Sequence, residues 1–212
     1  MGFFSGLPLL LTSATLGTWL ADVGVNKTTI GLFALVGIPY SLKFLWASFL
    51  DTNIKIMLLK KMGRRRIWIL IFQILICINI FIMAHIDPVI NTMQMAIFAI
   101  SLAVLSASQD IAIDAWRIEI NKEKELGLGA ALYVTGYRIA LLVAGAGALV
   151  IADIYSWKLS FIILSSIYPL GIILVLTIKV EDQKKDEKFI EKNFKMIVEE
   201  RVLKPFYDFI TK

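Results

Sequence analysis

The chain of 212 residues is 58% hydrophobic and 18% charged, with a mean hydropathy of +0.76, which excludes an ordinary soluble domain. A net charge of +5 would suit nucleic acid, but the basic residues cluster between and after apolar runs as orientation signals, so no nucleic-acid partner is expected. The single cysteine, Cys77, lies inside an apolar run, which excludes an intrachain disulfide and reads as an inert membrane-facing thiol.

The apolar residues come in runs of about 20, the length a helix needs to cross roughly 30 Å of hydrocarbon. The first, Gly2–Leu20, lacks a basic leader and an Ala-x-Ala cleavage site, so it reads as a retained helix rather than a signal peptide. Because it starts almost at Met1, a short leader is expected to be missing or never present. Further spans are expected at Thr29–Leu50, Ile67–Ala84, Met93–Trp116, Leu128–Ala152 and Leu159–Ile178. The expected fold class is an all-α membrane protein with a six-helix transmembrane bundle over residues 1–180. Residues 181–212 read as a cytoplasmic linker or tail, in which Phe189, Phe194, Ile197, Val198, Val202 and Phe206 have the spacing of an amphipathic helix.

Orientation follows from the 22 lysines and arginines. Those of the loop Lys55 to Arg66, of Arg117 to Lys124 and of the tail from Lys179 fall on one side, and only Lys27 and Lys158 on the other. The positive-inside rule makes the rich side cytoplasmic and places both termini there.

Ionisable side chains inside a bilayer cost several kcal/mol unless paired or hydrated, so Lys43, Asp110, Asp114 and Arg138 mark a cavity or relay. At about 1.5 Å per residue, Asp110 and Lys43 sit about 10 Å from the cytoplasmic ends of their helices, and Arg138 about 15 Å from Leu128. At one level they offer an anionic solute a charged pocket, with Asp110 exchanging a proton and Gln109 and Tyr137 beside it. Tyr40, Tyr133 and Tyr137 are available to stack on a sugar, although membrane aromatics more often pack or anchor. Asp114 lies one turn beyond Asp110, near the interface, where pairing with Arg117 or a loop arginine makes it a structural latch. Glycines 127, 129, 136, 145 and 147 suit close helix packing.

Phosphate-loop, zinc and Gly-x-Ser-x-Gly patterns are missing from the sequence. The Asp110/Asp114 spacing matches a lipid phosphotransferase metal pair, but Ala96–Gln109 lacks its upstream acidic and arginine residues. No enzyme, metal site or cofactor is expected.

Five segments carry a resemblance: residues 4–8 (Phe-Ser-Gly-Leu-Pro), 29–37 (Thr-Ile-Gly-Leu-Phe-Ala-Leu-Val-Gly), 42–46 (Leu-Lys-Phe-Leu-Trp), 106–115 (Ser-Ala-Ser-Gln-Asp-Ile-Ala-Ile-Asp-Ala) and 129–138 (Gly-Ala-Ala-Leu-Tyr-Val-Thr-Gly-Tyr-Arg). Together they resemble the AmpG-type muropeptide permeases of the major facilitator superfamily. The Gln-Asp-Ile-Ala-Ile-Asp run is also similar to the acetyl-coenzyme-A transporters. The resemblance implies one half of a major-facilitator fold and proton-coupled import of anhydro-muropeptides across the bacterial inner membrane, driven by the proton gradient. Lys43 and Arg138 would receive the cargo's carboxylates, and Asp110 would couple entry to protons. Asp51 with Gly63-Arg64-Arg65-Arg66 resembles the superfamily's cytoplasmic loop motif, at wider spacing. That implies a gating latch of Asp51, Arg64 and Arg65 with Asp114 and Arg117. Such transporters place solute between two six-helix bundles, so a second half is the implied partner, besides the lipid bilayer. Another anionic cargo such as an acyl-coenzyme A, or a truncated non-transporting remnant, are the alternatives.

Overall fold

A computed structural model of the chain describes residues 1–47, 50 and 63–178, without the side chain of residue 64. Among the described residues every regular element is helical. The helices are α1 (Gly2–Asp22), α2 (Lys27–Leu42), α3 (Arg65–Met83), α4 (Thr92–Ile120), α5 (Glu123–Ile154) and α6 (Trp157–Thr177). All but α2 are long and apolar enough to cross a membrane. The second span is therefore shorter, in its described part, than the run Thr29–Leu50, and one further helical turn, Phe44–Ala47, follows it. Residue 51, the side chain of residue 64 and the segment from residue 179 lie outside the described residues.

Prolines explain where backbone hydrogen bonding within these helices is interrupted. A proline cannot donate to the carbonyl four residues before it. In α2, Pro39 leaves the Leu35 carbonyl without that bond, and the Ile38 amide takes it over across three residues, within a 3₁₀ stretch at Ala34–Gly37. In α6, Pro169 leaves the Ser165 carbonyl, which accepts from the Cys77 thiol of α3 at 3.4 Å. In α1, Pro8 leaves the Phe4 carbonyl, which accepts from Gln109 of α4 at 2.8 Å and from Tyr168 of α6 at 3.3 Å. Two of the three breaks are thus closed by other helices, which ties local backbone gaps to packing. Cys77 is half-buried and spent on this contact rather than facing lipid alone.

A fourth irregularity is a π-helical turn at Val143–Gly147 in α5. There the Ala144 carbonyl accepts from Thr15 of α1 at 2.7 Å, and the Ala148 carbonyl just beyond accepts from Ser160 of α6 at 2.9 Å. In both cases a side-chain hydroxyl stitches a distorted turn to a neighbour, as backbone polar groups in hydrocarbon require.

Helix α1 runs through the centre of the bundle, contributing Phe4, Leu7, Leu11, Leu16, Trp19 and Leu20 to the main core. It lies close against α5: a side chain added at Gly6 would come within 2.7 Å of the Tyr137 carbonyl oxygen. The ends of the bundle are clasped differently. At one, Trp157 donates to Asp22 at 2.7 Å and stacks on Trp19, ring centroids 5.9 Å apart. At the other, Arg65 meets Glu119 at 3.0 Å, and Arg66 donates to the Val175 and Leu176 carbonyls at the end of α6. A guanidinium on those last carbonyls satisfies orphan acceptors and complements the helix dipole.

Candidate functional site

One face of α4 turns a run of polar side chains inward: Ser106, Ser108, Gln109 and Asp110 are all buried. Each has a different fate. Ser108 accepts from the Trp46 indole at 2.9 Å and donates to the Val104 carbonyl at 2.7 Å, which pins the turn after α2 onto α4. The Gln109 amide nitrogen is committed to Phe4. Ser106 Oγ and Asp110 Oδ1 have no hydrogen-bond partner.

Asp110 is the hub. Ser5 of α1, Lys43 after α2 and Asp114 one turn along α4 are the groups that act on its carboxylate. The phenols of Tyr40, Tyr133, Tyr137 and Tyr168 all lie within reach of its charge. These residues come from α1, α2, α4, α5 and α6, so the carboxylate is a convergence point of the bundle. An ionisable group at the centre of a membrane helix costs about 2.5–3.5 kcal/mol, which the fold tolerates here behind a ring of hydroxyls and one ammonium.

The hydroxyls divide by level. Tyr40 approaches Thr12 Oγ1 at 3.5 Å, on the side of Asp110 toward Asp22 and Trp157. Ser5 and Tyr133 lie on the opposite side, toward Arg117. There a cavity of about 330 Å³ is lined by Met1, Gly2, Trp116, Arg117 and Tyr133 among others. The Arg117 guanidinium stands 5.0 Å from the centre of the Tyr133 ring and contacts Asp114 Oδ1 at 3.4 Å.

The structure brings Lys43, Asp110 and Asp114 together and sets Arg138 apart. Arg138 is exposed on the outer face of α5, flanked by exposed Leu142 and Ile139, and among the described residues it has no ion pair. It falls midway between Glu123 and Ile154, about 22 Å from either end of α5 at 1.5 Å per residue. Tyr137, one residue earlier, turns toward Tyr133, with ring centroids 6.3 Å apart. Of the residues expected to form a latch, Asp114 and Arg117 adjoin each other and Arg65 adjoins Glu119. Asp51 and the Arg64 side chain lie outside the described residues.

Sequence reasoning missed Ser5, Tyr168, Glu119 and the Arg66 contact. Pro8 was the available signal for the Phe4 node, since a proline inside an apolar run announces an orphan carbonyl four residues earlier. Nothing in the sequence pairs Arg65 with Glu119. Among the described residues no group of three His, Cys, Asp or Glu side chains is placed to hold a metal ion.

An apolar all-helical bundle with charges converging in its interior is the architecture of a solute carrier. The family model of the Major Facilitator Superfamily matches residues 1–210. The chain belongs to that superfamily. Within it, the chain is similar to the anhydromuropeptide permease of Escherichia coli K12, 44% identical over 153 residues, which are 72% of this chain and 30% of that protein. It is also similar to putative transporter AmpG 4 of Rickettsia felis, 32% identical over 214 residues, 100% of this chain and 51% of the relative. An uncharacterized protein of Haemophilus influenzae is 38% identical over 194 residues, 90% of this chain and 45% of the relative. The AmpG-type resemblance carried by the motifs agrees with these matches. The chain spans about half or less of the length of these relatives.

Proposed function

We propose that residues 1–180 form the amino-terminal six-helix half of a proton-coupled permease of the bacterial inner membrane. With a second half, it imports an anionic sugar-peptide, an anhydro-muropeptide. The segment 181–212 joins or follows the bundle on the cytoplasmic side, where the positive-inside count puts both termini.

The observation that carries this reading is Arg138. A guanidinium exposed at the midpoint of a long apolar helix cannot face hydrocarbon without a cost of about 3 kcal/mol or more, so that face of α5 is turned to protein or to a wet cavity. Exposed Leu32 and Leu35 on α2 and Leu132 and Leu142 on α5 form the apolar surface that a second half would cover. Arg138 and Lys43 then supply cationic contacts for cargo carboxylates, while Asp110 exchanges the driving proton. A latch of Asp51, Arg64 and Arg65 with Asp114 and Arg117 closes the cytoplasmic side in one state of the cycle.

The test is uptake of labelled anhydro-muropeptide by vesicles holding this chain, with and without a carboxy-terminal half. Proton-driven accumulation only in the complemented vesicles is expected. No uptake in either preparation sinks the proposal.

A further inference from the structure

Asp110 is enclosed, and a proton taken up there needs a way out. We infer that Ser5 and Tyr133 form the exit leg of the proton path, carrying the proton from Asp110 to the cavity beneath Arg117. This rests on the reading of the chain as half of a proton-driven carrier, and it gives Ser5 a role and Tyr133 one beyond stacking on a sugar.

Three observations converge on this pair. Ser5 is 1% exposed, and its Oγ has no hydrogen-bond partner, as is true of Asp110 Oδ1. A buried hydroxyl and a buried carboxylate oxygen that both lack partners are rare, because each omission costs about 1–3 kcal/mol. Second, Phe4 accepts from Gln109, the neighbour of Asp110 on α4, while Gly2 and Gly6 lie against Tyr133 and Tyr137 of α5, so buried Ser5 sits where α1 meets both helices. Third, Tyr133 lines the cavity at the Arg117 end of the bundle, with the Arg117 guanidinium 5.0 Å from the centre of its ring, so of the pair it is the one that borders that space. The other hydroxyl set, Tyr40 with Ser106 and Thr12, leads away from this cavity toward the Asp22 end.

Close packing sets the geometry. Gly2 and Gly6 on α1 press against the backbone of Tyr133 and Tyr137 on α5, so Ser5 is held at the level of both tyrosines without room for a bulkier neighbour. The remaining charged and titratable groups around Asp110 are Lys43, Asp114, Tyr40, Tyr137 and Tyr168.

The transfer balances. Once the Ser5 hydroxyl turns into contact with both groups, protonated Asp110 gives its proton to Ser5 Oγ as the Ser5 hydroxyl gives its own to Tyr133 Oη, and Tyr133 passes its phenolic proton to water in the cavity. Each hydroxyl gains one proton and loses one, leaving a carboxylate at Asp110 and one proton released; rotation of the two hydroxyls resets the path.

The experiment uses vesicles holding this chain with a carboxy-terminal half and two assays with labelled anhydro-muropeptide: accumulation under an imposed proton gradient, and counterflow exchange with no gradient. Ser5→Ala and Tyr133→Phe should each lower accumulation about tenfold or more while counterflow stays within about twofold of wild type. Ser5→Thr, which keeps the hydroxyl, should restore accumulation. Unchanged accumulation in either variant overturns the inference, as does parallel loss of both activities or failure of Ser5→Thr to rescue. A wild-type assembly inactive in both assays would sink the transport reading instead. The inference is then decided on the chain itself in nanodiscs, by the exchange rate of the Asp110 carboxyl proton, followed by its infrared band after transfer to heavy water. Slower exchange in both variants supports the relay and equal rates overturn it.

Discussion

The side-chain amide of Gln109 donates a 2.8 Å hydrogen bond to the backbone carbonyl of Phe4. Pro8 has no amide hydrogen to offer that carbonyl, so α4 supplies within α1 what the backbone of α1 cannot. Gln109→Leu leaves only the longer Tyr168 contact and is expected to cost about 1–2 kcal/mol. With Pro8→Ala an amide hydrogen returns, and the same Gln109→Leu change should then cost much less. Thermal unfolding of the four proteins in nanodiscs measures the coupling. Equal penalties in both backgrounds would mean that Gln109 is held for another reason.

Contact between α1 and α5 sets a steric limit. A Cβ at Gly6 lies 2.7 Å from the Tyr137 carbonyl oxygen, whereas one at Gly17 meets nothing within 4 Å. Gly6→Ala should therefore destabilise the bundle by about 1–3 kcal/mol, the cost of overpacking. Gly17→Ala should be neutral or slightly stabilising, since alanine favours helix. Unfolding temperatures of the two variants compared with wild type test this, and a neutral Gly6→Ala would show that the helices separate freely.

Much of this arrangement is legible in the sequence, and the remainder is not for identifiable reasons. Apolar runs locate α1 and α3 to α6 because a membrane demands continuous hydrophobicity, but they mark hydrocarbon thickness rather than helix ends. Helix α5 accordingly begins at Glu123, in a charged stretch, well before Leu128. The second apolar run looks uniform, yet Gly37 and Pro39 interrupt its hydrogen bonding. The inward face of α4 could be expected from Asp110 and Gln109, and so could an orphan carbonyl ahead of each proline. Which side chain answers that carbonyl depends on helix rotation and neighbour order, which hydropathy does not encode. Arg66 reads as one more positive-inside charge, although its guanidinium caps α6, because its acceptors are backbone atoms of a helix distant in sequence.

The Cys77 thiol and the Ser165 carbonyl repeat the proline logic with a weaker donor. Cys77→Ser keeps a donor at that place and should hold or slightly raise stability. Cys77→Ala leaves the carbonyl bare and should lower stability by about 0.5–1.5 kcal/mol. Denaturation of the two variants side by side checks the order. An alanine variant as stable as the serine one would show that the contact contributes nothing.

Asp110 should separate driven from passive transport. In the complemented transporter, Asp110→Asn removes the exchangeable proton while keeping size and polarity, so proton-driven accumulation should be abolished and counterflow exchange should persist. The remaining counterflow should not depend on external pH. Wild-type accumulation in the Asn variant would take Asp110 out of the proton path.

Arg138 tests whether the outer face of α5 is wet. In a Cys77→Ser background, Arg138→Cys should react with a membrane-impermeant thiol reagent when this chain is joined to a second half, because a midplane guanidinium needs water or a counter-charge beside it. A cysteine at Leu170, which is 63% exposed on α6, serves as the comparison, since its apolar surroundings suit lipid and it should stay unmodified. Excess anhydro-muropeptide should slow the reaction at residue 138 if cargo carboxylates occupy that place. Arg138→Ala should raise the half-saturating cargo concentration about tenfold, the loss of one charge-assisted contact, with a smaller effect on maximal rate. An unreactive Arg138→Cys would mean that the arginine is buried against protein, and the cationic role in binding would then fall to Lys43 alone.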